Sequence, residues 1–173
     1  AENHHHNGIL SHSIVPAPNS EALQPVAQDY ITRLLNHLNY VGVLTLELFV
    51  TEQGLCANEM APRVHNSGHW SIEGAVCSQF ENHIRAVAGL PLGSTDVVRP
   101  TVMINIIGQH PKTEDVLALN GAHLHLYNKS ERAGRKLGHI TLMPVDSNEL
   151  TNLCRQLAKI LPEPLALTDD MII

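Results

Sequence analysis

Apolar residues along this 173-residue chain recur with two periods, and the switches between them mark out its elements. Ile9, Leu10, Ile14 and Val15 are the buried positions of an extended pattern over 3–15 that ends at Pro16. After a turn at 16–20, Leu23, Val26, Ala27, Tyr30, Ile31, Leu34, Leu35 and Leu38 recur at three and four. That spacing predicts an amphipathic helix over 21–38, capped by Ser20 and ended by Asn39. Residues 43–50 and 55–61 then read as two strands around Thr51-Glu52-Gln53-Gly54. Ile72, Val76, Phe80, Ile84 and Val87 predict a second helix over 72–88, with Ser71 as its cap and Gly89 at its C-terminal end.

Leu90 to Pro100 has the composition of a linker, so a boundary is placed between 1–90 and 91–173. Beyond it, Thr101–Ile107 is a β-rich run stopped by Gly108, and a short helix is expected over 112–118. Ala122–Tyr127 alternates, with His123 and His125 expected to face outward. A basic stretch around a glycine turn precedes a strand over Ile140–Met143. Asp146 and Glu149 form a capping-box-like start for a helix over 147–161, which Pro162 ends. The elements together make an α+β protein: an antiparallel sheet with packed helices, then a small β-rich domain with a terminal helix.

The two strands at 43–61 each carry a glutamate, and an apolar strand does not bury an unpaired carboxylate cheaply. A three-residue loop with Gly54 in the left-handed position puts Thr51 opposite Leu55, Phe49 opposite Ala57 and Glu47 opposite Glu59. The two carboxylates then share a face and need a divalent cation between them; oxygen-only ligands suit Mg²⁺. A four-residue loop would instead put them on opposite faces, one of them solvated.

After the second strand comes a polar loop, Ala61-Pro62-Arg63-Val64-His65-Asn66-Ser67-Gly68-His69-Trp70. Its guanidinium, imidazoles, amide and hydroxyl can bind an anionic or polyhydroxylated small molecule, or simply cap nearby backbone. Entry into a helix at Ser71 favours an anion near Ser67–Ser71. Lys129, Arg132, Arg135 and Lys136 put four cations within eight residues, either a phosphate-binding candidate or a solvated hairpin tip.

Composition narrows the classes. The net charge of −6 argues against nonspecific nucleic-acid binding, and no apolar stretch approaches the roughly 20 residues of a membrane span. Three widely spaced cysteines indicate neither a disulfide framework nor a zinc site, and a cytoplasmic location fits best. Six of twelve histidines lie in the first 65 residues; His4 and His6 are read as part of a solvated edge. Without a start methionine or signal peptide, the chain reads as the C-terminal part of a longer protein.

Glu47, a hairpin and then Asn58-Glu59-Met60-Ala61-Pro62-Arg63 resemble the metal-binding end of an ATP-grasp ligase. The continuation APRVHNSGHW, the later GRKLGHITL and the opening Glu2-Asn3-x-His5-x-x-Gly8-Ile9-Leu10 resemble the N5-carboxyaminoimidazole ribonucleotide synthetases, over roughly residues 2–143. Ala61 stands where many ATP-grasp members have a metal-ligating asparagine. The resemblance implies ATP- and bicarbonate-dependent carboxylation of 5-aminoimidazole ribonucleotide through carboxyphosphate, in purine biosynthesis. It implies Mg²⁺ on Glu47 and Glu59, and ATP near His5, Asn58 and Glu59. Arg63, His65, Asn66 and Ser67 would line the site for bicarbonate and ribonucleotide, with Arg63 and His65 catalytic. Lys129, Arg135 and Lys136 would grip the ribonucleotide phosphate. It also implies a homodimer, a missing N-terminal half that carries the rest of the ATP site, and an isolated chain without turnover. Three rivals remain at this stage: a formate-dependent glycinamide ribonucleotide transformylase, a non-catalytic ligand-binding fragment, and a histidine-based transition-metal binder.

Overall fold

The computed structural model describes residues 1–18 and 20–162; the tail at 163–173, included above in the second domain, lies outside the described residues. The first element is a hairpin, β1 (Glu2–His6) and β2 (Ile9–Val15), rather than one extended segment over 3–15. Asn7 and Gly8 turn it, with φ of 50° and 75°. Asn-Gly supplies positive φ at both central positions of a tight hairpin, and that signal in the sequence overrides the run of apolar residues around it.

Helix α1 (Gln24–Leu38) starts three residues later than expected. The Ser20 hydroxyl donates back to the Ala17 carbonyl, the Ser20 carbonyl takes the N–H groups of Leu23 and Gln24 in a turn, and Pro25 supplies the helical start without a side-chain cap. Asn39 closes the helix in the left-handed conformation at φ 48°, as expected. Strands β3 (Thr45–Thr51) and β4 (Gly54–Ala61) form a separate two-stranded sheet. A 3-10 turn (Asn66–Gly68) leads to α2 (Ser71–Gly74) and α3 (Gln79–Val87).

The single helix expected over 72–88 is therefore broken. Ala75 bridges to Val97, the Val76 N–H donates to Asp96, and Ser78 starts α3 afresh by accepting from the Glu81 N–H. Ser78-x-x-Glu81 is a capping box, and the chain obeys it over the apolar periodicity. The expected stripe is correspondingly exposed, Val76 and Ile84 each at 64%. The buried face of α3 is polar: Asn82 exchanges hydrogen bonds with the backbone of Gly93 and pins the linker.

Strands β5 (Thr101–Gly108), β6 (Ala122–Leu126) and β7 (Arg132–Leu142), with helices α4 (Thr113–Leu117) and α5 (Ser147–Ile160), complete the fold. The main sheet is antiparallel throughout, in the order β1-β2-β5-β7-β6. It draws strands from both sides of the linker at 90–100. Strand β7 is much longer than the expected Ile140–Met143. Arg132, Arg135 and Lys136 lie within it and Lys129 in the connection before it; the ladder to β5 absorbs two irregularities around Lys136 and Arg132.

Directly paired residues share a sheet face. One face carries the rows Ile14–Val102–Leu142–Ala122 and His12–Ile104–Ile140–Leu124, with His12 as its buried polar member. It packs on Val116 and Leu119, from α4 and its exit, and on Leu153, Cys154 and Leu157 of α5. Asp146 caps α5 as expected, accepting from the Glu149 N–H at 2.8 Å. The opposite face carries Ser13–Met103–Thr141–His123 and Asn105–His139–His125. The centre of that polar face is buried as well, under the loop that follows β4, while His123 at its edge is exposed as expected.

Candidate functional site

In the β3–β4 hairpin Glu47 is paired with Glu59, the register on which the metal argument rests. The route differs from the expected loop. Thr51 pairs with Gly54 and Leu48 with Ala57, one residue out of the expected register. A bulge then leaves Asn58 without a partner and restores Glu47 opposite Glu59. The Glu47 side chain is only 9% exposed, and its Oε1 is buried without a hydrogen-bond partner. The nearest basic atom is His65 Nδ1 at 3.6 Å, beyond hydrogen-bond reach. Glu59 is exposed. An orphaned carboxylate oxygen facing a second carboxylate fits a hard divalent cation. Among the described residues no group of three acidic, histidine or cysteine side chains is placed to hold a metal, so further ligands would come from water and substrate.

His65 stands beside this pair. Its Nδ1 lies 2.8 Å from Ser67 Oγ, and its backbone is extended at φ −127°, ψ 151°. Burial lowers the His65 pKa, and Arg63 and Lys136 push the same way; Glu47 and Glu59 oppose them. The ring is thus neutral near pH 7. Lys136, half-buried on β7, is lowered by burial and by Lys129 while both glutamates raise it. The basic strand therefore reaches the carboxylates electrostatically, and Glu47, Glu59, His65 and Lys136 belong to one charged cluster. Arg63 donates to the Val64 carbonyl and leaves most of its fork exposed.

Other residues stand apart. Arg135 Nη1 is held by Ser130 Oγ at 3.0 Å, and Lys129 Nζ sits 5.3 Å from the Tyr127 ring centroid. His5 is exposed on β1, paired with Leu10, and among the described residues no hydrogen bond joins it to Asn58 or Glu59. His4 stacks on buried His12, with ring centroids 4.4 Å apart. The helix that starts at Ser71 is not the long one expected to favour an anion near Ser67–Ser71. α2 is a single turn, and Ser71 Oγ donates to the Gly68 carbonyl while accepting from the Gln79 N–H.

Several contacts that hold the loop escaped the sequence reading. Asn66 and Asn105 exchange amide hydrogen bonds at 2.9 and 2.7 Å, and Asn105 also donates to the Leu10 carbonyl. Asn105 carried a signal: a carboxamide in the middle of an apolar strand must find partners. His125 is not outward-facing. It stacks on His139, with centroids 4.4 Å apart, and contacts Glu73 Oε1 at 2.6 Å. His139 accepts or donates at 2.7 Å with the Tyr127 hydroxyl, and burial pulls its pKa down to about 3.

Comparison with known proteins agrees with this architecture. Residues 1–80 match the ATP-grasp domain family. The α+β fold is thus of the ATP-grasp class, and residues 101–152 match the phosphoribosylaminoimidazole carboxylase C-terminal domain. The chain resembles the C-terminal half of an N5-carboxyaminoimidazole ribonucleotide synthase. It is 56% identical to that enzyme of Pseudomonas aeruginosa over 144 residues, 83% of this chain and 39% of the relative. The crystal structure of the synthetase from Thermus thermophilus superposes with a TM-score of 0.89 at 52% identity, over 93% of this chain and 45% of that one. An Aspergillus clavatus synthase in complex with ADP and 5-aminoimidazole ribonucleotide gives 0.84 at 33% identity, over 93% and 46%. The chain spans less than half the length of these relatives. Among the described residues no helix is long and apolar enough to cross a membrane.

Proposed function

We propose that this chain supplies the metal-carboxylate and ribonucleotide side of an enzyme that carboxylates 5-aminoimidazole ribonucleotide on its exocyclic amine, with ATP and bicarbonate. The observation that carries this reading is the pairing of Glu59 with a buried Glu47 whose Oε1 has no hydrogen-bond partner, in a chain similar to these synthases over most of its length. Glu47 and Glu59 would hold Mg²⁺, which would neutralise charge on the ATP phosphates. Asn58, pushed out by the bulge, and His5 are assigned to the nucleotide side.

Bicarbonate attacks the γ-phosphorus of ATP, releasing ADP and forming carboxyphosphate. Loss of phosphate then yields CO₂, which the ribonucleotide amine captures as a carbamate with release of one proton. Arg63 holds bicarbonate and the developing phosphate charge with its exposed fork. His65 takes the proton. Its Nδ1 accepts from the Ser67 N–H, so the neutral ring carries its hydrogen on Nε2 and its lone pair on Nδ1, and the lowered pKa keeps the ring ready to accept. Asn66 and Ser67 shape the pocket around it. Lys136, with Lys129 and Arg135, grips the ribonucleotide phosphate. In this division of labour residues 1–90 serve the nucleotide, the metal and the carboxylation chemistry, and 91–173 grips the ribonucleotide phosphate. A homodimer, a cytoplasmic setting and a preceding segment that completes the ATP site belong to the same reading.

The test is ADP release by the natural-length polypeptide, whose extent intact mass would establish. ADP formation that needs both bicarbonate and aminoimidazole ribonucleotide is expected. Formate and glycinamide ribonucleotide in their place should give none, and turnover with them would reassign the enzyme to the transformylases.

A further inference from the structure

We infer that Gln79 is the positioning residue for His65: its carboxamide takes the place of a missing strand neighbour and locks the loop at the metal pair. His65 is extended, so its N–H and C=O point sideways as in a strand, yet no strand lies beside it among the described residues. Gln79 meets both needs, sharing the His65 carbonyl with the Gly68 N–H. Its Oε1 accepts from the His65 N–H at 3.0 Å, and its Nε2 donates to the His65 carbonyl at 2.8 Å. A backbone N–H only donates and a carbonyl only accepts, so these two contacts settle which end of the amide is oxygen. The second Nε2 hydrogen then points to His69 Nδ1 at 2.9 Å. His69 Nδ1 must accept, which makes His69 the neutral Nε2–H tautomer.

The clamp is itself held rigidly. Gln79 opens α3 directly after the Ser78 cap, and its N–H donates to Ser71 Oγ. Gly68 leaves room for it: a Cβ there would stand 2.6 Å from Gln79 Oε1. The groups facing His69 are His65 on its own loop, Lys136 and His139 on β7, His125 on β6, Tyr127 beyond it and Phe80 on α3. Burial holds the His69 pKa down at about 4, against the His65 backbone, which raises it. The nearby Lys136, and the donor that Gln79 aims at Nδ1, act in the same direction as burial.

The consequence for catalysis rests on the proposed role of His65; the clamp does not. Two measurements on the 173-residue chain test the clamp directly. In Gln79→Glu a carboxylate oxygen replaces the donor facing His69 Nδ1, so the His69 ring titration followed by NMR should move upward by roughly 1–3 pH units. In Gln79→Ala, protection of the His65 amide against hydrogen exchange should fall at least about tenfold, while amides of β5 keep theirs. Gly68→Ala crowds the amide from the other side and should reproduce the exchange loss, which covers the case of a Gln79 variant that does not fold. An unchanged His69 titration in folded Gln79→Glu, or unchanged His65 protection in both other variants, overturns the clamp. In the natural-length enzyme Gln79→Ala should lower kcat at least about tenfold with the KM for ATP unchanged. A wild-type kcat in a chain that shows both NMR effects would overturn the positioning role. Absence of turnover in the wild type would instead count against the proposed reaction, leaving the NMR result to decide the clamp.

Discussion

The two faces of the main sheet are equally buried and built from opposite chemistry. The face toward α4 and α5 is packed with Ile14, Val102, Ile104, Ile140 and Leu142. The face toward the 65–74 loop is Ser13, Asn105, His139 and Thr141, each at most 4% exposed. Apolar packing is non-directional and tolerates repacking, whereas a buried amide or imidazole holds its neighbour at one angle. The apolar face therefore carries stability. The polar face aims the loop at the Glu47–Glu59 pair.

The largest expected effect lies on the apolar face. Leu157→Ala, at a fully buried position, should lower unfolding free energy by about 2–5 kcal/mol in a denaturant titration. A loss under about 1 kcal/mol would show that α5 is not part of the core.

Buried histidines should announce themselves through pH, His139 on the polar face and His12 beside Ile104 on the apolar one. His139 and His12 are held down to about 3 and 4 by burial, well below their unfolded value near 6.5. Between those values the unfolded chain binds more protons, so stability rises with pH and is lost as pH falls from about 6.5 toward 4. Each histidine adds a slope approaching about 1.4 kcal/mol per pH unit. His139→Gln should flatten the midpoint-against-pH curve; an identical curve would mean that His139 titrates normally.

The contact between loop and sheet is next. A double-mutant cycle of Asn66→Ala and Asn105→Ala should show coupling of about 1 kcal/mol, since each single change strands a buried amide. Strict additivity would mean that the reciprocal pair does not hold the loop.

Glu47→Gln should act with the opposite sign. Removing a buried carboxylate whose Oε1 lacks a partner is expected to raise stability by roughly 0.5–1.5 kcal/mol while ADP formation is lost. Destabilisation on this change would show that Glu47 is a structural residue and not one held ready for a cation.

These contrasts explain what the sequence made legible. Local rules worked where one rule acted alone: the Asp146 cap, the Asn39 stop, the continuous apolar run of β5. They failed where a turn or cap competes with periodicity, as at Asn7-Gly8 and at Ser78, where the stronger local hydrogen bonding won. The Glu47–Glu59 pairing emerged correctly from a loop that is wrong by one residue, because the Asn58 bulge restores the register. Gln79 and Asn105 were not found, since an amide's partners are set by tertiary contacts that no spacing encodes. Exposed Phe49, Val50 and Met60 on the hairpin likewise gave no signal that this two-stranded sheet lies apart from the main one.

The most direct test of the central claim follows the carbon. The natural-length polypeptide is supplied with ATP, Mg²⁺, aminoimidazole ribonucleotide and ¹³C-bicarbonate, and the product is read by ¹³C NMR. A carbamate carbon bonded to the exocyclic nitrogen, appearing in step with ADP, is the predicted result. Label on a ring carbon, or ADP formed with no label on the ribonucleotide, would contradict the account.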